Sequence, residues 1–266
     1  MKNYFFLFLV SFSLFLIASC NDDPQPEETG SVELNFKGAF GDELLLMFKE
    51  YAYPDGKKFQ LKEFNFFISE VSLIDEEGIN TRLVEIDLID LGFDIDNQAL
   101  AEQGQTLIIR DVPVGDYTGI SIGFGVSADL NRTDPSEYGS EHPLRNNHWS
   151  GWSSYIFSVI EGAADMNDDG EIVSGGAESE SFSYHSGTND NFVNSIINRT
   201  IVVEPQSVQA LNLTVDVLQL FRNNNMEFDT NGDGYLDIQN YPGTHSDTKQ
   251  DMFNRIMNNF TAAVSF

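Results

Sequence analysis

Three kinds of side chain in this sequence could do chemistry: oxygen donors at calcium-loop spacing, four histidines and two tryptophans. Asp229, Asn231, Asp233 and Asp237 stand at positions 1, 3, 5 and 9 of such a loop, with Gly234 at position 6 for the sharp turn. The Tyr235 carbonyl would serve at position 7, and position 12 is Asn240 where a bidentate Glu is usual, so a charged ligand is missing or comes from elsewhere. Asp165, Asn167 and Asp169 before Gly170 repeat the pattern D-x-N-x-D-G. Here Val173 and Gly176 hold positions 9 and 12, which leaves Glu178 to swing in as a late ligand. Both stretches also read as plain acidic turns, and neither is flanked by two helices, so neither reads as a calcium sensor.

Imidazole is the commonest transition-metal ligand, although a lone histidine is more often an ordinary polar residue. His148 adjoins Trp149, His185 closes Phe182-Ser183-Tyr184-His185, and His245 lies in the loop Gly243-Thr244-His245-Ser246. Each is expected at a strand or loop end, where separate segments can converge. His142, ahead of Pro143-Leu144, reads as a loop residue.

The elements that must position these groups are mostly strands. HWSGWSSYIFSVIEG, from His148 to Gly162, holds both tryptophans in a polar Gly/Ser lead-in, followed by a buried strand over Tyr155–Ile160 that Glu161-Gly162 ends. Trp149 and Trp152 thus stand at the mouth of a core strand, where an indole packs on apolar neighbours while its N–H reaches a polar partner. Alternation of apolar and polar residues predicts strands over 31–36, 59–73, 83–91, 105–112, 117–126, 181–184, 199–203, 209–220 and 261–266. Leu44–Phe48 suits a strand or a short helix, Asn97–Glu102 a helical turn, and 127–147 a long irregular loop. Met252, Phe253, Ile256 and Met257 share one face of a helix over Thr248–Phe260. About ten strands with scarcely a helix between them predict an all-β chain, an antiparallel β-sandwich or barrel-like fold with one short C-terminal helix.

The chain has 266 residues, enough for one sizeable core, and its 22 Phe make that core aromatic. Met1-Lys2-Asn3, the apolar run Tyr4–Ile17 and Ala18-Ser19-Cys20 resemble a bacterial lipoprotein signal ending in a lipobox. Residues 1–19 would be removed and Cys20 lipidated, so the protein would be anchored to a membrane and not span it. Residues 20–30 then read as a disordered acidic tether, and 31–266 as a single domain. Acidic residues directly behind the cysteine resemble the surface-export signal of Bacteroidota lipoproteins, which points to the outer membrane, at the cell surface or else on its periplasmic side. Without Lys2 the chain carries 13 basic and 42 acidic residues, a net charge of −29 that argues against nucleic acid as a partner. Cys20 is the one cysteine, which excludes an intramolecular disulfide and a cysteine-based zinc site. There is no G-x-S-x-G, no H-E-x-x-H and no Gly-rich phosphate loop, so the sequence does not read as an enzyme.

Six pieces in order carry a resemblance: GFGVSADLN (Gly123–Asn131), HPL (His142–Leu144), the double-Trp segment ending YIFSVIEG, FSYHSGT (Phe182–Thr188), LTVDVLQLF (Leu213–Phe221), and His245 ahead of MNNFTAAVSF. Together they resemble the MbnP-like family, named for a methanobactin-associated copper-binding protein. The resemblance implies an all-β envelope protein that binds one copper ion by two histidines near a tryptophan oxidised to kynurenine. A diheme peroxidase-like partner would perform that oxidation. Carried over, His185 and His245 would be the copper ligands, His148 a further candidate, and Trp149 or Trp152 the oxidisable residue. Metal capture or storage follows as the expected role. The competing reading is a calcium-ordered adhesion or glycan-binding sandwich, suggested by the acidic loops and by aromatics such as Trp149 and Tyr241.

Overall fold

The structure, a computed structural model, describes residues 28–173, 179–224, 226–243 and 250–266. Cys20, Glu178 and His245 lie outside the described residues.

Two sheets pack face to face as an open sandwich and do not close into a barrel. The first is built on β1 (Thr29–Phe40), with β2 (Glu43–Leu44) pairing its end. β3 (Glu50–Ala52), β4 (Lys58–Asp75) and β5 (Asn80–Asp90) follow and belong to the second sheet. After the short helix α1 (Gln98–Gln103), β6 (Gln105–Pro113) returns to pair antiparallel with β1. β7 (Gly115–Phe124), β8 (His148–Trp149), β9 (Ser154–Ala164), β10 (Ser181–Gly187) and β11 (Val193–Val203) complete the second sheet and its edge. β12 (Val208–Asp216), helix α2 (Val217–Leu220), helix α3 (Gln250–Ala263) and β13 (Val264–Ser265) end the chain.

Alternation decides which side chains go inside. In β1, Val32, Leu34 and Phe36 are fully buried, while Glu33 and Lys37 remain partly exposed. β4 is the long strand of the second sheet. Its first half pairs with β9 and its second half with β7, and β5 overlaps both in register, so β9 and β7 follow one another along one edge. Glu70, at φ +54°, marks a bulge within the half that pairs with β7, between Ser69 and Ser72. Between the sheets, Phe36 meets Phe66 edge to face at 6.3 Å, and Phe260 of α3 stacks on Phe124 of β7 at 4.8 Å. Such aromatic pairs contribute about 0.5–1.5 kcal/mol each beyond the area they bury.

Several sequence expectations need correction. The strand expected over 209–220 stops at Asp216, whose carboxylate caps the N–H of Leu218 at 3.0 Å and starts α2. The strand expected over 261–266 shrinks to β13, because α3 runs on to Ala263 and buries Phe260 and Ala263 on the same face as Met252, Phe253, Ile256 and Met257. Leu44–Phe48 holds no helix. β9 continues through Glu161-Gly162 to Ala164, and β11 begins at Val193, ahead of the expected start. Among the described strands, the β1–β12 ladder is parallel, running from Ser31↔Val208 to Ala39↔Asp216.

Candidate metal centre at the edge of the second sheet

β9 and β10 pair antiparallel at the edge, and their apolar residues fix which way the polar ones point. Phe182 and Tyr184 face the core, where Phe182 stacks on Phe59 at 5.2 Å and Tyr184 on Phe182 at 5.5 Å. Ser183 and His185, one residue out of phase, therefore take the opposite face, with Ser183 opposite Glu161 and His185 opposite Val159. Glu161 Oε1 lies 2.7 Å from His185 Nε2 and accepts the Ser183 hydroxyl at 3.1 Å. The His185 side chain is only 8% exposed, so the imidazole is shielded from bulk water, while Glu161, at 27%, stays partly open to the pocket beside it. A hydrogen bond of this type to a charged group contributes about 1.5–3 kcal/mol.

The indoles lie by Gly187, at the end of β10, beyond a register shift between Ser186 and Gly187. Trp152 covers Gly187, two residues beyond His185: a Cβ on Gly187 would fall 2.7 Å from Trp152 Cε3 and 2.8 Å from the Tyr155 carbonyl oxygen. Trp149 stacks on Trp152 with ring centroids 4.7 Å apart and planes 28° apart. The turn joining them holds Gly151, where a Cβ would meet Trp149 Nε1 at 2.7 Å. A polar network supports this arrangement from below. Asn131 Oδ1 accepts from Tyr155 N at 2.9 Å and from the Ser154 hydroxyl at 3.0 Å, and Ser154 Oγ accepts from Thr188 N at 2.9 Å. Asn191 donates to the Gly187 carbonyl. Thr188 has φ +69° and ψ +155°, a conformation close to one that only glycine adopts without strain. The strain falls directly beside the residue under Trp152.

Of the other histidines, His148 sits against Tyr155, edge to face at 5.1 Å, and lines a cleft with Asn131, Thr133 and Asp134. The pocket beside Glu161 is lined by Lys62, Ser181, Ser183 and Gly243 and shares no residue with that cleft. Asp134 is held below the usual carboxylate range, chiefly because the Ser136 backbone N–H donates to it; His148 adds a smaller effect. His142 is a loop residue: it stacks on Tyr138 at 4.0 Å, and its Nδ1 accepts from Leu144 N at 3.2 Å. Gly243, two residues before His245 in sequence, packs on Tyr184, and the Pro242 carbonyl accepts from Ser183 N at 2.9 Å.

The two acidic loops lie side by side, tied by Gln239, whose amide donates to the carbonyls of Asp165 and Met166 at 3.1 and 3.0 Å. Their carboxylates accept hydrogen bonds from their own backbone. Asp229 accepts from the N–H groups of Gly232, Asp233 and Gly234, while Asn231 accepts from Asp233 N and Asp233 from Tyr235 N. Asp237 is engaged by the Thr230 hydroxyl and by the Asn240 amide at 2.6 Å. In the first loop Asp165 accepts from Asp169 N and Gly170 N, and Asn167 also accepts from Asp169 N. Glu180, 6% exposed, closes that loop by accepting from Met166 N, Asn167 N and Val173 N. Burial, with Asp229 and Asp55 nearby, raises the Asp233 carboxyl above its ordinary value. Among the described residues, no three His, Cys, Asp or Glu side chains are placed to share a metal ion.

Sequence reasoning missed Glu161 and the Asn131–Ser154–Thr188 network. The signal for Glu161 was present: a carboxylate inside an apolar alternation, at an outward-facing position. Fold and site together define an all-β sandwich that carries a histidine–carboxylate pair on its edge strands and stacked indoles at the end of β10. The MbnP family model matches residues 29–242, and the chain belongs to that family. Among solved structures it is similar to MbnP from Methylosinus trichosporium, at 13% identity and a TM-score of 0.48, over 73% of this chain and 78% of that one. No curated protein matches it.

Proposed function

We propose that this chain is a cell-envelope lipoprotein that binds a single copper ion through His185 and His245 and serves metal capture or storage, not turnover. The observation that carries the reading is the buried His185, held by Glu161 at 2.7 Å, with Trp152 packed on Gly187 two residues along the same strand, in a member of the MbnP family. The donor set suits the ion: soft Cu(I) accepts low coordination by neutral imidazoles. Of the two tryptophans, Trp152, which packs on Gly187 two residues beyond His185 in β10, is the one this reading assigns to oxidation by the partner protein. Support for His245 as the second ligand comes from Gly243, which packs on β10 beside Ser183 and Tyr184. His148, turned to Tyr155 and Asp134, has a smaller claim.

In this reading the protein's residues hold and shield. Glu161 and Ser183 keep the His185 ring in place, and the Phe182–Tyr184 stack keeps β10 from shifting register. Cys20 carries the lipid that anchors the domain to the outer membrane, at the cell surface or on the periplasmic side, and a diheme peroxidase-like protein is the partner that oxidises the tryptophan. The deciding experiment is Cu(I) titration of the domain and of its His185→Ala and His245→Ala variants. Each substitution is expected to abolish binding of one equivalent, and one-to-one binding retained in both removes the site.

A further inference from the structure

We infer that Glu161 is a positioning residue for the metal: it selects which nitrogen of His185 can bind the ion. The inference rests on the copper reading above. A carboxylate without a proton can only accept a hydrogen bond, so the 2.7 Å contact puts the imidazole hydrogen on Nε2 and leaves Nδ1 as the lone-pair nitrogen of a neutral ring. Glu161 is itself fixed. It stands in β9 between β4 and β10, opposite Ser183 in register, and the Ser183 hydroxyl donates to the same Oε1 at 3.1 Å. The ring is therefore oriented by two strands at once. Because the imidazole is buried, water competes poorly for Nε2, and the contact favours this tautomer of the neutral ring before any metal arrives. Carboxylates placed behind a ligating histidine in this way typically change metal affinity 10–100-fold when removed.

The experiment compares the intact domain with Glu161→Ala, Glu161→Gln and His185→Ala. Cu(I) affinity is read by competition with a chromophoric chelator, and the His185 ring nitrogens are read by 15N NMR in the metal-free protein. The parent is expected to show the hydrogen on Nε2. Glu161→Ala is expected to lose that preference and to bind Cu(I) about 10–100-fold more weakly. Glu161→Gln, which keeps an acceptor oxygen without the charge, is expected to keep the tautomer and lose less affinity. Glu161→Met, of similar length and without an oxygen, replaces the alanine variant if that one does not fold. A purely structural role would lower thermal stability without moving the ring nitrogens. Cu(I) affinity unchanged in Glu161→Ala, or His185 keeping its hydrogen on Nε2 there, overturns this inference while leaving the copper reading intact. One equivalent bound by His185→Ala removes His185 as a copper ligand and this inference with it.

Discussion

Replacing Gly187 with alanine puts a methyl group where none fits. The new carbon would lie 2.7 Å from Trp152 Cε3, 2.9 Å from Cζ3 and 2.8 Å from the Tyr155 carbonyl oxygen. Ordinary contact begins near 3.4 Å, so the indole would have to retreat by about 0.7 Å, the difference between 3.4 and 2.7 Å. The carbonyl cannot follow, since it belongs to the β9 backbone. Overpacking of this kind costs about 1–3 kcal/mol, and alanine returns about 0.4–1 kcal/mol by restricting the unfolded chain. A net loss of about 1–2 kcal/mol should remain, or roughly 2–8 °C in Tm for a domain of this size. Urea denaturation gives the first number, and the near-ultraviolet circular dichroism of the stacked Trp149–Trp152 pair reports whether the rings have separated. In a Trp152→Ala background the same substitution should cost at least about 1 kcal/mol less, because only the carbonyl contact survives. A Gly187→Ala variant as stable as the parent, with an unchanged tryptophan spectrum, would refute the reasoning.

Two further outcomes follow from the backbone and from burial. Thr188→Gly should stabilise the protein by about 0.5–2 kcal/mol, since it relieves about 1–3 kcal/mol of strain and adds about 0.5–1 kcal/mol of chain entropy loss; Thr188→Ala, which keeps a Cβ, should give no gain in denaturant midpoint. Burial pushes the Tyr51 hydroxyl up to about 12, partly offset by its hydrogen bond from Leu46 N. The folded state therefore holds a proton that the unfolded state releases from about pH 10, so stability falls as pH rises between 10 and 12, by up to roughly 1.4 kcal/mol per pH unit for this group. Tyr51→Phe should flatten that slope in alkaline denaturation, with tyrosinate absorbance as the direct readout.

How much was legible in the sequence depended on how local the cause was. The alternation in FQLKEFNFFISEVSL reports β4 because each side chain there meets one face or the other over its whole length. Glu161-Gly162 misled for the same reason in reverse. A charge and a glycine resemble a strand end, yet Glu161 faces outward, and Gly162 is small because the Phe182 ring and the Gln60 carbonyl press against it. Val215-Asp216-Val217-Leu218 is an apolar run that fits strand and helix alike, and only the cap on Leu218 N resolves it. The histidines could be named from the sequence as candidates, but the partner of His185 depends on the register between β9 and β10, which no local pattern encodes. In the acidic loops the spacing does report local structure: Asp229 and Asp165 accept from the backbone N–H groups of the turns they open.

The parallel pairing of β1 with β12 gives the described domain a mechanical asymmetry. β1 is the first strand, yet it lies inside its sheet, with β12 along one edge and β6 along the other. A pull from the N-terminal side, directed along β1, loads both ladders in shear, so many hydrogen bonds must yield together. Traction on the other end meets only the two residue pairs that join β13 to β12, and behind them α3, whose grip on the core is made of side chains. The chain is strongest at the end that a tether would pull.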